Sequence, residues 1–379
     1  MMKGFKIRLF PTEEQAMKLW QAIGTSRWVW NWGIAYNNDL YSREKRIAFE
    51  YELRKEFTKV RNSGEFPWLK DVAAKVPAVT LLTLGQAYRQ CFSKRKKGLT
   101  AGLPNFKKKG KTRDSYGLDA ETVLFYDDGV QVLKVGHVKF KSDIPLADLR
   151  STKIYSPRIT FSSGKWVLSF SKEVPASKEV PASPVQLHEY SVGIDLGVKT
   201  LAVASCDGKI YKAKNINRSH RIVRLTRQLK HKQRALARKR KGSANRRRAL
   251  HVVQKCYQRI TNIRRNHTHQ VTGKIVNLNP KTIVMEDLDV HGMMKNKHLA
   301  RAIAEQNFFM FKEFVRYKAE EKGIALRFVD RFYPSSKTCS SCGHVVENLS
   351  LSQRTYRCPV CGLEIDRDEN AARNLEKAV

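Results

Sequence analysis

The chain has 379 residues, 41% of them hydrophobic, enough for two or three domains with sizeable cores and too many for a disordered polymer. Lysine and arginine number 72 against 35 aspartates and glutamates, a formal net charge of +37 with a pI near 10.1. An excess of that sign draws a polyanion, so nucleic acid is the expected partner. A membrane is not, because no apolar run of about 18 residues and no signal-peptide pattern occurs.

The opening GFKIRLFPT alternates apolar and polar residues like a strand and stops at Pro11. Because this strand begins at once after Met-Met-Lys, a cytoplasmic location is expected. TEEQAMKLWQAIGTSRWVWNWGIAYNNDL then carries apolar residues at helical spacing, with Thr12 placed as N-cap and acids in the first turn. Trp20, Trp28 and Trp32 fall on one face of that helix and read as core, whereas Trp30 falls off it. Helical patterning continues to about Lys97, and GLTAGLPNFKKKGKTRDSYG then reads as an extended basic loop. From Gly117 to Lys172 the segments TVLFYDD, GVQVLKV, HVKFK and KWVLSFS alternate between turn signals. These predict a small barrel or sheet whose first strand is the N-terminal one, with the helices inserted between. The tandem KEVPASKEVPAS is a linker by composition.

Beyond it, SVGIDLGVKTLAVASCDGKIY reads as two strands joined by a turn, apolar enough for the centre of an α/β sheet. From Gly208 to Met285 there is no Asp or Glu, while lysine and arginine recur throughout. Apolar residues at Ile222, Leu225 and Leu229, and again at Leu250, Val253, Tyr257 and Ile260, predict two amphipathic helices joined near KGSANRRR. A segment of one sign must face a polyanion or repel itself. PKTIVMEDL gives a third buried strand, and AEQNFFMFKEFVRYKAEEKG a helix ending at Gly323.

Two constellations carry chemistry. Of seven cysteines, Cys339, Cys342, Cys358 and Cys361 form C-x2-C-x15-C-x2-C, the spacing of a tetrahedral four-thiolate zinc site that is structural because its coordination sphere is full. His344 lies between the pairs as a bystander, and Cys91, Cys206 and Cys256 read as small buried hydrophobes. Asp195 in VGIDLGV and Glu286 in TIVMEDL each end an apolar strand, where a charge is costly unless compensated, most readily by a metal ion. Asp368 lies in the first turn of a helix capped by Asp366, with Asp366 as the alternative ligand; Glu364 and Glu369 read as surface or helix-dipole residues. Carboxylates from separate elements suit Mg²⁺ or Mn²⁺, and two such ions drive phosphodiester cleavage.

VGIDLGVKTLAVAS, IVMEDL, YPSSKTCSSCG, YRCPVCG and DRDENAARNL, with KIRLFPTEEQ and LPNFKKKGK before them, resemble in order the transposon-encoded TnpB family, relatives of the type V CRISPR effectors and of Fanzor proteins. The resemblance implies an RNA-guided DNA endonuclease that cleaves double-stranded DNA beside a short target-adjacent motif. Its omega RNA would derive from the transposon end, one RNA serving a monomeric protein acting at the nucleoid. It implies a multidomain α/β plus β-barrel architecture. A wedge barrel would span 1–12 and 112–172, an inserted helical recognition domain 13–111 and a linker 173–188. A ribonuclease H-like RuvC domain would span 189–337 and 362–379, with a zinc-binding insertion at 338–361. The family's catalytic carboxylates fall on Asp195, Glu286 and Asp368, and its zinc thiolates on the four cysteines. Lys75, Arg89, Lys107, Lys108 and Lys109 are candidate phosphate contacts, as are Arg238, Lys239, Arg240, Arg246, Arg247 and Arg248 of the acid-free segment. The competing reading is an RNA-guided protein that occupies DNA without cutting it. Two others fit less well. An actin-like ATPase lacks its further phosphate and adenosine turns here, and the His267-x-His269 pair sits in a basic helix where a backbone or phosphate contact is the simpler role.

Overall fold

The N-terminal strand forms as the alternation predicts: β1 (Met2–Phe10) turns Ile7 and Leu9 inward and exposes the residues between them. In the computed structural model, which describes residues 2–142, 144–151, 153–173, 186–350 and 353–378, the chain divides into two units, Met1–Ala176 and Ser177–Val379. The expected linker 173–188 lies mostly outside the described residues, although Glu173 ends one strand and His188 begins another.

In the first unit β1 is followed by three long helices, α1 (Glu13–Glu44), α2 (Glu50–Asn62) and α3 (Lys75–Lys96). The chain then returns as β2 (Ser115–Gly117), β3 (Val123–Phe125), β4 (Gly129–Val132), β5 (Gly136–Lys141), α4 (Leu146–Ser151), β6 (Ile154–Ser162) and β7 (Lys165–Glu173). The strands make one seven-stranded sheet in the order β2-β6-β7-β1-β5-β4-β3, with β1 antiparallel to both β7 and β5. The helices are therefore an insertion between the first strand and the rest of its own sheet. Thr12 caps α1 through a reciprocal box with Gln15, each backbone N–H bonded to the other's side chain at 3.1 and 3.2 Å.

Residues 98–114 are irregular, as expected, but they change which tryptophan is buried. Trp30 is 8% exposed because this loop folds over it: the indole Nε1 donates to the Asn105 carbonyl at 3.0 Å. Asn31 beside it clamps the Lys107 backbone through both amide atoms at 2.7 and 2.9 Å. Trp28 and Trp32 pack among Phe57, Phe66 and Trp68, but Trp20 stays 39% exposed against Phe161 and Trp166. The helix is covered on more than one side, so the single-face count misplaces Trp20 and leaves unread the burial of Trp30.

The second unit holds β8 (His188–Leu196), β9 (Thr200–Cys206) and β10 (Lys209–Lys214), an antiparallel run. The third of these strands was not expected. Helices α5 (His220–Ala237) and α6 (Ala244–Val276) follow and lead to β11 (Pro280–Glu286). Their seam joins Ile222, Leu225 and Leu229 to Val253, Cys256 and Ile260, while Leu250 and Tyr257 are exposed at 38% and 48%. Cys256 takes the inward place, and Tyr257 instead accepts a bond from Gln233 at 2.6 Å on the solvent side. Then come α7 (Val290–Met293), α8 (Ala300–Gln306), α9 (Phe308–Lys322) and β12 (Ala325–Val329), the last a strand not read from the sequence. The single expected helix is broken at Asn307, whose φ of 54° is left-handed, and α9 ends at the left-handed Gly323 as predicted. The sheet order is β10-β9-β8-β11-β12, with β11 parallel to β8 and β12. A hairpin of β13 (Thr355–Arg357) and β14 (Glu364–Asp366) leads into the last helix, α10 (Arg367–Lys377). Among the described residues no helix is long and apolar enough to cross a membrane.

The five-stranded sheet lies between two layers. Val192, Ile194, Ile283 and Met285 face Phe308, Phe311, Val315 and Ala319, which belong to α9. Gly193, on the opposite face, receives α10. A Cβ there would lie 2.2 Å from the Ala372 carbonyl and 2.1 Å from the Glu376 nitrogen, so only glycine lets the helix backbone come this close. Gly193→Val should force α10 off the sheet and cost about 3 kcal/mol, read as a lower urea-unfolding midpoint. An unchanged midpoint would show that the contact is not needed.

Candidate active site and cysteine cluster

Asp195 follows Gly193 by two residues and therefore shares the face that α10 covers. Parallel pairing aligns Ile194 with Met285, both turned to the other layer, so Glu286 follows Met285 as Asp195 follows Ile194. Asp368 stands one helical turn before Ala372, the residue whose carbonyl meets Gly193. The fold thus brings together three carboxylates that are remote in sequence. Their mutual field is evident at Asp195, whose pKa is raised well above the ordinary value by burial first, then by Glu286 and Asp368, against a smaller opposing effect of Arg367. Among the described residues, only the four cysteines bring their ligand atoms all within 4.8 Å of one another. The three acids are spread more widely, as ligands shared between two ions about 3.5–4 Å apart can be.

The neighbouring acids are committed elsewhere. Asp366 caps α10, accepting from the Asp368 and Glu369 backbone nitrogens at 3.0 and 3.2 Å. Glu369 pairs with Lys212 at 2.6 Å and Glu364 with Arg357 at 3.1 Å. Asp287 pairs with Lys312 and Arg331 at 3.1 and 3.4 Å, which hold its carboxyl below the usual range, and Asp289 caps α7. His267 meets the Lys214 carbonyl at 2.9 Å and His269 stacks on Phe314 at 3.8 Å, so both serve packing.

Cys339 and Cys361 place their sulfurs 3.6 Å apart, Cys342 and Cys358 theirs 3.5 Å apart. Those spacings are close to the edge of a tetrahedron with Zn–S bonds of about 2.3 Å, so the donor set fits zinc. Each pair sits in the same kind of knuckle. The Cys339 and Cys358 nitrogens donate to the His344 and Leu363 carbonyls, and Gly343 and Gly362 supply the left-handed turns at φ of 78° and 71°. His344 serves this arrangement through its backbone, the carbonyl accepting from Cys339 and the N–H donating to the Cys342 sulfur.

Sequence reasoning missed the residues that join the cluster to the acids. The Ser335 hydroxyl donates to Glu286 Oε1. Asn370 and Asn374, 0% and 4% exposed, bond the 335–340 backbone from α10. Their i,i+4 spacing in DENAARN was the available signal.

The basic candidates divide. Lys75 is paired with Asp119 at 2.8 Å and Arg89 with Glu50, so neither is a free cation. Lys107 is half-buried over the Trp30 ring at 3.5 Å, and burial, helped by Arg158 and Arg27, pulls its pKa down to about 8. Arg246 turns inward and donates to the Leu236 and Lys239 carbonyls at 2.7 and 3.2 Å, closing the α5–α6 hairpin. Lys108, Lys109, Arg238, Lys239, Arg240, Arg247 and Arg248 are exposed and make no ion pair with a described residue.

Three family models match: "Helix-turn-helix domain" over residues 1–46, "Probable transposase" over 170–297 and "Cas12f1-like, TNB domain" over 308–375. The first spans β1 and α1, and α1 is one uninterrupted helix. A Streptomyces pristinaespiralis protein named "Putative RNA-guided DNA endonuclease" is 30% identical over 376 residues, 98% of this chain and 88% of its own. InsQ of Escherichia coli K12, under the same description, is 28% identical over 99% of this chain and 91% of its own. The TnpB-like protein L770 of Acanthamoeba polyphaga mimivirus is 26% identical over 98% of this chain and 72% of its own. Matched along nearly its whole length at that identity, the chain belongs to the TnpB family.

Proposed function

We infer that the chain is an RNA-guided, divalent-metal-dependent DNA endonuclease of RuvC type, cutting double-stranded DNA beside a short target-adjacent motif. The observation that carries this reading is the gathering of Asp195, Glu286 and Asp368 on one sheet face, with the Asp195 charge opposed by its two neighbours. Such a site is poorly satisfied alone and well satisfied by cations with oxygen preference. Asp195, Glu286 and Asp368 would hold Mg²⁺ or Mn²⁺, which supply an activated water and neutralise the leaving oxygen of a phosphodiester. The chain's own part is to fix those oxygens on two parallel strands and one helix. The four cysteines would hold a structural zinc.

Domain roles follow the family pattern: a wedge barrel at 1–12 and 112–172, a recognition region at 13–111, a RuvC-like domain at 189–337 and 362–379, and a zinc insertion at 338–361. The insertion of α1 to α3 between strands of one sheet supports the first two assignments. A guide RNA from the transposon end, one per monomer, would supply sequence specificity by base pairing, with action at the nucleoid. The exposed residues Arg238, Lys239, Arg240, Arg247 and Arg248 at the α5–α6 tip, with Lys108 and Lys109, would contact nucleic-acid backbone.

With guide RNA and Mg²⁺, Asp195→Ala or Glu286→Ala should lower the cleavage rate at least ~10³-fold while target binding persists. Wild type that binds its target yet leaves it whole across metals and temperatures would make the protein a binder. Without divalent ions, Asp195→Asn should be more stable than wild type. An acid whose folded pKa is raised loses stability as pH climbs above its unfolded value near 3.9, so the advantage should grow from acid toward neutral pH and shrink when Mn²⁺ is added. Thermal melting with and without EDTA checks this. Arg247→Ala and Arg248→Ala should each weaken RNA binding across sequences and reduce the log–log salt slope by about 1, seen in binding titrations from low to high salt.

A further inference from the structure

Residues 333–339, YPSSKTC, join the end of the sheet to the first cysteine pair and are folded on themselves. The Ser335 nitrogen donates to the Tyr333 carbonyl at 2.8 Å, and the Thr338 nitrogen and hydroxyl both reach the Pro334 carbonyl at 2.9 Å. From α10, Asn374 Nδ2 donates to the Ser335 and Thr338 carbonyls at 2.7 and 2.6 Å. Asn370 completes the grip, donating to the Thr338 carbonyl at 2.6 Å and accepting from the Ser340 nitrogen at 2.9 Å. The backbone of Ser335 is thus fixed by the same helix that carries Asp368.

The side chain of Ser335 is 4% exposed. Buried serines commonly bond a backbone carbonyl nearby, but this hydroxyl crosses 49 residues of sequence to donate to Glu286. Glu286 ends its strand half-buried with a flexible side chain, and neutral or charged donors fixed around a ligating carboxylate set its orientation. We propose that Ser335 is a positioning residue: its hydroxyl holds the Glu286 carboxylate in register with Asp195 and Asp368, and Asn370 and Asn374 fix that hydroxyl from α10. The strap therefore ties the acid on β11 to the acid on α10, and its far end enters the cysteine cluster. The proposal rests on the nuclease reading of the acidic site.

The test is Mn²⁺ uptake by the protein–guide RNA complex, followed by the electron paramagnetic resonance signal of free Mn²⁺, for wild type, Asp195→Ala, Ser335→Ala and Ser335→Thr. The uptake lost in Asp195→Ala defines the acidic site. At that site Ser335→Ala should bind Mn²⁺ about 10-fold more weakly, and Ser335→Thr, which keeps the hydroxyl, should return close to wild type. The Mn²⁺ concentration for half-maximal cleavage should move in parallel, with target binding unchanged. If Ser335→Ala lowers the melting temperature, Ser335→Cys, of similar size and a weak donor, is read in its place. Wild-type Mn²⁺ affinity in the alanine variant, or a threonine variant as impaired as the alanine one, overturns the proposal. No Asp195-dependent uptake in wild type overturns the metal reading itself and the proposal with it.

Discussion

Repulsion among Asp195, Glu286 and Asp368 is the constraint around which the second unit is built. Like charges on neighbouring elements separate unless packing holds them, and here packing on both faces of the sheet does so. One face is apolar, with Phe308, Phe311 and Val315 against Ile194 and Met285. The other is the approach of α10 to Gly193, where a side chain would collide with helix backbone. The packing of the sheet thereby keeps the three acids together despite their mutual repulsion.

Several acids next to the triad are engaged elsewhere, which sharpens the contrast. Asp366, Glu369, Asp287 and Asp289 each have a cap or a cation. Among the described residues the triad has neither a cap nor an ion-pair partner, and Glu286 is the one of the three that accepts from a hydroxyl, delivered by the strap that begins the cysteine knuckles. The cluster and the acids are consequently not independent modules. Asn370 and Asn374 on one helical face bind the strap, while Asp368 and Ala372 of the same helix serve the sheet.

Much of this was legible in residues. Periodicity gave the inserted helices and the hairpin α5–α6, capping chemistry gave the starts of α1 and α10 and the end of α9, and Cys spacing gave the cluster. Those features depend on neighbours within a few positions, where geometry is fixed by the chain itself. The misreadings share the opposite property. Tyr257 yielded its seam position to Cys256, and Asn307 broke a helix whose pattern continued through it, while Trp30, whose role the helical face left open, was buried by a loop 75 residues away in sequence. Lys75 and Arg89 looked like free cations until Asp119 and Glu50 were brought to them.

The sequence by itself determined the sign of the charge, the four thiolates, the strand-end placement of Asp195 and Glu286 and the membership in a family, because each is a matter of residue type and local spacing. Only the tertiary structure decided that Asp366 caps α10 while Asp368 acts more strongly than it on Asp195, that Ser335 reaches Glu286, and which basic side chains among the described residues remain unpaired. Those outcomes depend on contacts between segments tens of residues apart, whose register follows from how the sheet and α10 pack and not from any one stretch of chain.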